Sequence, residues 1–392
     1  MPSTASSAHQ PGEPISVPPG LAGVSVTDTT IGDVRGQEGF YHYRQYSAVE
    51  LAERRTVEDV WHLLFEGALP DAQQRAEFVG QVRPLRHLSA DVRTALPAIA
   101  RTRPAPLDGL RTALSLSGAA AGLRPLWDLD EPARRADAMR ICAQVPTLLA
   151  AQHRLGRGLE PVAPRDDLSY AANYLFMLTG EEPSEQHARA IERYLISTID
   201  HGFNASTFTA RVIASTGADV AACVVGAVGA LSGPLHGGAP SRALDLLDAI
   251  GTPERIDSYL RQQITSGERI MGFGHAVYRT EDPRSRLLRD TAQQLGGARV
   301  DFAVEVEARV LDLLAELKPE RELYTNVEFY AGVVMEDCRL PREMFTPTFA
   351  SSRVIGWCAH ILEQARERKI IRPGARYVGP PPPHPVPPLR QR

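Results

Sequence analysis

An almost entirely α-helical protein of two or three domains is what this sequence predicts, on three observations. The chain has 392 residues, too many for one compact core. Apolar residues recur with the helical period along most of its length. β-Branched residues interleaved with glycine turns are concentrated in one early stretch, 21–46. A chain divided in this way leaves a cleft between its domains.

Taken in order, the opening MPSTASSAHQPGEPISVPPG lacks the basic start and apolar run of a signal peptide and reads as a disordered tail, 1–20. The segment GLAGVSVTDTTIGDVRGQEGFYHYRQY suggests short hairpins. Thr56 can cap a helix whose apolar face is Val57, Val60, Trp61 and Leu64, with Gly67 and Pro70 ending it. Helical periods recur near 138–152, 168–178, 187–199, 206–231, 241–250, 256–268, 284–295, 301–317 and 348–368. The longest apolar run, Val220 to Leu231, is shorter than the roughly 18 residues that suggest a membrane span, so it reads as a buried helix. The final YVGPPPPHPVPPLRQR cannot continue a helix and reads as an extended proline-rich tail, 380–392, either plainly solvated or available to a proline-reading module.

Composition excludes several function classes. Hydrophobic residues at 43% and charged residues at 23% are ordinary for a globular chain and argue against general disorder. The net charge of -4 comes from interleaved acids and bases, without the basic block of a nucleic-acid binder. Four cysteines, at 142, 223, 338 and 358, show no zinc spacing; they suit reduced thiols in a cytoplasmic protein with neither disulfide nor structural metal. No glycine motif fits a nucleotide-binding loop.

Three histidines stand at breaks between helical segments: His201 in IDHGFNAS, His236 in SGPLHGGAPS and His275 in MGFGHAVYRTEDPR. One such histidine alone is more often a turn residue or a satisfied core group; three in similar settings point to a shared site. Asp282 and Pro283 read as an N-cap and first helical residue, which puts Arg284 in the opening turn. A guanidinium there implies a bound anion or a side chain pointing into water. Arg353 lies among apolar residues in FASSRVIGWCAHILEQ, which implies a partner carboxylate from protein or ligand. Arg372, in KIIRPG, is ambiguous between a site residue and an exposed one. In TNVEFYAGVVM, Glu328 is the one acid of an apolar run, and Thr325 with Glu328 has the spacing of a capping box. Cations, neutral histidines and one carboxylate suit a small dicarboxylate substrate and proton abstraction beside a carbonyl.

The segments LSGPLHGGAPSRALDLL, GFGHAVYRTEDPR, and NVEFYAGVVM followed by MFTPTFASSRVIGWCAHILEQ resemble the three active-site segments of the citrate synthase family, in order. GLAGV, TTIGDVRGQEGFYHYRQY and VWHLLFEGALP match its N-terminal part, so the resemblance covers roughly residues 21 to 379. It implies a two-domain, all-α fold: a large helical domain over 21–236 and 335–379, and a small domain over 237–334 that closes on the substrates. It further implies a homodimer, the helix ending at Leu231 helping to form the interface. The reaction implied condenses acetyl-CoA with oxaloacetate and water to citrate and CoA. By motif match His236, His275 and Glu328 are the catalytic residues. His201, Arg284, Arg353 and, from the other subunit, Arg372 hold the oxaloacetate carboxylates, with Asn204 close by. The backbone around Met271, Gly272, Phe273 and Gly274 lies near the CoA adenine. No tightly bound cofactor is implied; the CoA thioester is a co-substrate.

One residue departs from the family pattern. Most members have NVD where this chain has NVE, so the expected aspartate is Glu328, about one methylene longer. Two rival readings share the motifs: a 2-methylcitrate synthase using propionyl-CoA, and a weakly active regulatory paralogue that binds oxaloacetate or CoA.

Overall fold

The computed structural model describes residues 16–236, 240–268, 270–275, 277–319 and 322–387; the side chains of 240–242 are also outside the description. The chain forms two compact units, one of Met1–Asp28 with Ile370–Arg392 and one of Thr29–Lys369. In the terminal unit the described residues hold a single turn of 3-10 helix, Pro19–Leu21, and otherwise no regular element. The expected tails at 1–20 and 380–392 lie outside the described residues over 1–15 and 388–392.

Within Thr29–Lys369, the early β-rich stretch is an antiparallel meander of β1 (Gly32–Arg35), β2 (Phe40–Tyr43) and β3 (Tyr46–Ser47). Alternation across β2 buries Tyr41 and Tyr43, whose hydroxyls donate to carbonyls at the end of the helix Glu185–Thr198: Tyr41 to Ser197, Tyr43 to Ile196. The turn between β1 and β2 runs against the segment after His275. Arg279 N–H donates to the Gly36 carbonyl at 3.0 Å, and a Cβ on Gly36 would lie 2.2 Å from the Val277 carbonyl oxygen.

All remaining regular structure among the described residues is helical. Local chemistry sets the ends. Val57–Glu66 starts at a capping box between Thr56 and Asp59 and stops at Gly67, which adopts φ 86°. The single helical stretch expected over 206–231 is two helices, Ala205–Ser215 and Val220–Leu231. Gly217 at φ 82° turns the chain, and Asp219 caps the second helix through Ala222 N–H. Periodicity alone also passed over Ala48–Arg54, Ala72–Leu85, Ala90–Arg101 and Pro106–Ala120. At Glu328 the expected cap is corrected. Asn326, not Thr325, caps Val327–Asp337, its Oδ1 accepting from Glu328 N–H at 3.0 Å.

The long helix Phe345–Glu367 runs through the core, packed on Glu131–Gly156, Glu185–Thr198 and Ala205–Ser215. Gly356 is the contact point with the turn before His201: a Cβ there would lie 2.1 Å from the Ile199 carbonyl oxygen. The buried Arg211 ties two of these helices together through Gln364 (2.8 Å), Glu363 (2.6 Å) and Glu367 (3.0 Å). A buried charge persists only when paired this fully. Val327–Asp337 packs on Pro283–Leu295 and Pro240–Ile250, so the Glu328 and Arg284 helices lie side by side. Among the described residues no helix is long and apolar enough to cross a membrane. The four cysteines are buried free thiols.

Candidate active site

Seven of the eight catalytic and substrate-binding residues expected from the sequence line one cavity of about 390 Å³: His201, Asn204, His236, His275, Arg284, Glu328 and Arg353. Tyr194, Leu231, Ala331 and Phe349 complete much of its wall. Arg372 belongs to the terminal unit, outside the unit that holds the cavity. Of the four positions assigned to CoA, Gly274 lines the cavity, whereas Phe273 is buried against Phe329 with ring centroids 5.3 Å apart.

The backbone at 272–274 has a structural task. Asn326 N–H donates to the Gly272 carbonyl (2.9 Å), Gly274 N–H to the Tyr324 carbonyl (2.8 Å), and Asn326 Nδ2 to the Gly274 carbonyl (3.0 Å). The His275 segment and the start of the Glu328 helix are thereby bound to each other. Gly272 and Gly274, at φ 89° and 86°, supply the left-handed turns this requires.

Asp282 is the residue that sequence reasoning undervalued. It was assigned only to helix punctuation, and its Oδ1 does accept from Arg284 N–H at 3.0 Å. The same carboxylate also holds the guanidinium, Oδ1 to Nε at 3.0 Å and Oδ2 to Nη2 at 2.8 Å. Its Oδ2 accepts as well from Val327 N–H at 3.2 Å, at the head of the Glu328 helix. Arg284 is therefore buried and paired with Asp282 while it also lines the cavity. The signal was present in the Asp-Pro-Arg spacing, but a sequence does not show that a cap faces inward.

Arg353 is different. Its Nε donates to the Thr198 carbonyl at 2.7 Å and its guanidinium lies 4.4 Å from the Phe349 ring centroid. Among the described residues it forms no salt bridge, and burial lowers its pKa to about 10. The partner carboxylate implied by its burial is thus not supplied by a described residue.

The histidines are neutral at pH 7 for a shared reason. Burial and then Arg284 lower His275 to about 4. Burial, with Arg284 and Arg353, takes His201 well below its usual range, and burial with Arg353 lowers His236. The hydrogen bonds define their tautomers. His275 Nδ1 accepts from the backbone N–H of Val277 (2.9 Å) and Tyr278 (3.1 Å), which leaves its proton on Nε2. That Nε2–H faces Arg284 Nη2 at 3.2 Å, two donors turned toward the same space. His236 Nε2 accepts from Ser206 N–H at 3.3 Å, which leaves its proton on Nδ1. His201 Nε2 pairs with the Tyr278 hydroxyl at 3.0 Å. Behind His201, Asp200 accepts from His360 Nε2 and Gly202 N–H, each at 3.2 Å. Although burial opposes it, His360 and Arg353 keep this carboxyl below its usual range.

Asn204 caps Ala205–Ser215, its Oδ1 accepting from Thr207 N–H at 3.1 Å, and the Ser206 hydroxyl lies 2.8 Å from both this oxygen and His236 Nε2. Tyr278, Asp200 and Ser206 are supporting residues that the sequence did not single out; each acts through a fold contact more than sixty positions away, or in Ser206's case through His236, 30 positions along. Among the described residues no group of His, Cys, Asp or Glu is placed to hold a metal ion.

An all-helical fold with neutral imidazole donors, buried guanidinium groups and one carboxylate in a common cavity defines an enzyme site for carbon-acid chemistry on an anionic substrate. The family model for the citrate synthase C-terminal domain matches residues 20–374, and the chain belongs to the citrate synthase family. It is 38% identical over 366 residues to a citrate synthase of Deinococcus radiodurans, across 92% of this chain and 95% of that one. The crystal structure of citrate synthase from Pyrobaculum aerophilum matches with a TM-score of 0.83 at 34% identity, over 98% of this chain and 99% of that one. The ternary complex of carboxymethyl coenzyme A and oxaloacetate with citrate synthase from Thermoplasma acidophilum matches with a TM-score of 0.84 at 27% identity, over 93% and 97% of the two chains.

Proposed function

We propose that this protein condenses acetyl-CoA with oxaloacetate and water to give citrate and CoA, an acyl transfer in which the acyl group becomes an alkyl group. The observation that carries this reading is the common cavity. It places a carboxylate, two differently oriented imidazole donors and an Arg353 guanidinium without a described protein counter-ion within reach of one small ligand.

In this reading Arg353, Arg284 and His201 hold the two carboxylates of oxaloacetate, with Asn204 at the edge and Arg372 contributed by the other subunit of a homodimer. The ketone oxygen accepts from His275 Nε2–H and Arg284 Nη2–H, which replaces a donor-donor opposition at 3.2 Å with two hydrogen bonds. The ketone carbon becomes more electrophilic. His236 presents Nδ1–H to the thioester oxygen, and Glu328 removes a proton from the methyl carbon. A carboxylate is a weak base for a carbon acid, so the developing enolate needs that positioned donor. The enolate carbon attacks the ketone carbon, the new alkoxide takes a proton, and hydrolysis of citryl-CoA releases citrate and CoA. A small domain at 237–334 closes over both substrates and keeps water away until the carbon-carbon bond exists. The CoA thioester binds as a co-substrate, without a resident cofactor, and the working compartment is the cytoplasm.

The test is CoA release by the purified protein with oxaloacetate and acetyl-CoA, beside a Glu328→Gln variant. Turnover in the parent and a loss of about 10²–10⁴-fold in the variant support the assignment. Propionyl-CoA as a parallel substrate measures the methylene preference, worth about 1–3 kcal/mol in an apolar pocket. No CoA release, with oxaloacetate still raising the melting temperature, would overturn the reading in favour of a binding protein.

A further inference from the structure

The reading above leaves one polar group of the cavity without a task. Tyr194 lies in the cavity wall on the helix Glu185–Thr198, is 1% exposed, and its hydroxyl has no hydrogen-bond partner among the described residues. A buried hydroxyl in a well-packed protein is normally satisfied. The other tyrosines around the site follow that rule: Tyr41 and Tyr43 donate to backbone carbonyls, and Tyr278 pairs with His201.

The surroundings say what the hydroxyl is for. Burial first, and next the Glu328 carboxylate, raise the Tyr194 pKa; Arg353 acts in the other direction. The phenol is therefore neutral and a donor throughout the physiological range. Among the charged groups that act on it, Glu328 has the largest effect, ahead of Arg353. The C-terminal end of the helix that carries it is held in place, since the Thr198 carbonyl accepts from Arg353 and the Ser197 carbonyl from Tyr41.

We propose that Tyr194 is a positioning residue that donates its hydroxyl to the Glu328 carboxylate during turnover and restrains the extra rotatable bond that a glutamate has over an aspartate. The proposal rests on the reading of Glu328 as the base. Near-attack geometry tolerates little displacement, and a hydroxyl donated to the carboxylate adds a restraint on a longer base. A rigid tyrosine on a packed helix supplies one.

Tyr194→Phe removes one oxygen and leaves the ring packing in place. The expected result is a fall in kcat of about 10–100-fold with the KM for oxaloacetate unchanged. The acid limb of the pH-kcat profile moves up by about half a unit to one unit, because a hydrogen bond to a carboxylate favours its charged form. A second readout needs no turnover: the ¹³C carboxyl titration of Glu328, assigned with Glu328→Gln, shifts upward in Tyr194→Phe in the presence of oxaloacetate and carboxymethyl-CoA. An unmoved carboxyl titration overturns the proposal. So does a raised KM for oxaloacetate with an unmoved acid limb, which would give the hydroxyl to the substrate. If the parent protein does not turn over, the reading of the base fails, and the carboxyl titration still decides whether Tyr194 and Glu328 meet.

Discussion

Replacing Asp282 with asparagine tests the ion pair that the sequence reading left out. Asp282 is 1% exposed and Arg284 3%, and the carboxylate accepts from Arg284 N, Nε and Nη2 and from Val327 N. Breaking a buried pair while leaving one charge behind costs about 3–5 kcal/mol. Asparagine remains a good N-cap, so the low end of that range, about 3 kcal/mol, is expected for Asp282→Asn. The assay is urea unfolding followed by circular dichroism at neutral pH. The cycle is completed with Arg284→Met and the double variant. Removing both partners takes away the stranded charge, so the double variant is expected to lose about 2–3 kcal/mol less than the sum of the two single changes. An Asp282→Asn protein within about 1 kcal/mol of the parent would refute the argument, because a cation buried to this degree cannot lose its counter-ion so cheaply.

Other tests address neighbouring parts of the site. His275 stays neutral down to about pH 4 in the fold, whereas an unfolded histidine takes up a proton near 6.5. The unfolded chain then binds the extra proton, so the stability tied to neutral His275 is present above about pH 6.5 and lost as the pH falls toward 4. At 1.36 kcal/mol per unit this gap corresponds to about 3 kcal/mol, and His275→Gln is expected to remove roughly that much of the acid-side loss in urea titrations at pH 7 and pH 4. Unchanged pH dependence would mean His275 is not buried as a neutral ring. Gly36→Ala places a Cβ 2.2 Å from the Val277 carbonyl oxygen and must displace the loop behind His275. A fall in kcat of about 10–100-fold is expected from a shift near 1 Å, and unaltered kcat would show that this loop is not positioned by the hairpin.

The helical fold was legible because its signals are local. Thr56, Gly67, Asp282 and Pro283 each act within a few residues, and the structure uses them as caps and stops. Where the expectation failed, the deciding contact was either finer or more distant. One glycine and one aspartate, Gly217 and Asp219, broke an apolar period that looked continuous. The cap at Glu328 moved by a single residue, from Thr325 to Asn326, whose Oδ1 takes Glu328 N–H, while the Thr325 hydroxyl finds no partner among the described residues. In the site, three histidines at helix breaks, Arg284 after a cap, Arg353 and Glu328 in apolar stretches, and Asn204 through the family resemblance pointed to seven cavity residues. The residues that orient them did not stand out, since Asp282, Tyr278 and Ser206 are common in caps and turns and acquire meaning only once folding brings their partners close. Arg353 was the most informative position: its burial called for a carboxylate, and among the described residues it forms no salt bridge, Asp200 being the carboxylate that acts on it most strongly.

Gly356 has a consequence for how this site can change. With no side chain there, the backbone of the helix Phe345–Glu367 rests directly on Ile199, and Arg353 and His201 are carried by two segments in contact through main-chain atoms. Substitutions elsewhere on their surfaces leave that spacing intact. Leu231 and Ala331, in the lining of the same cavity, contribute side chains that can be exchanged one at a time. The cavity therefore has a heritable asymmetry: the part set by the chain's path varies only as a block, while the part lined by single side chains is open to stepwise change.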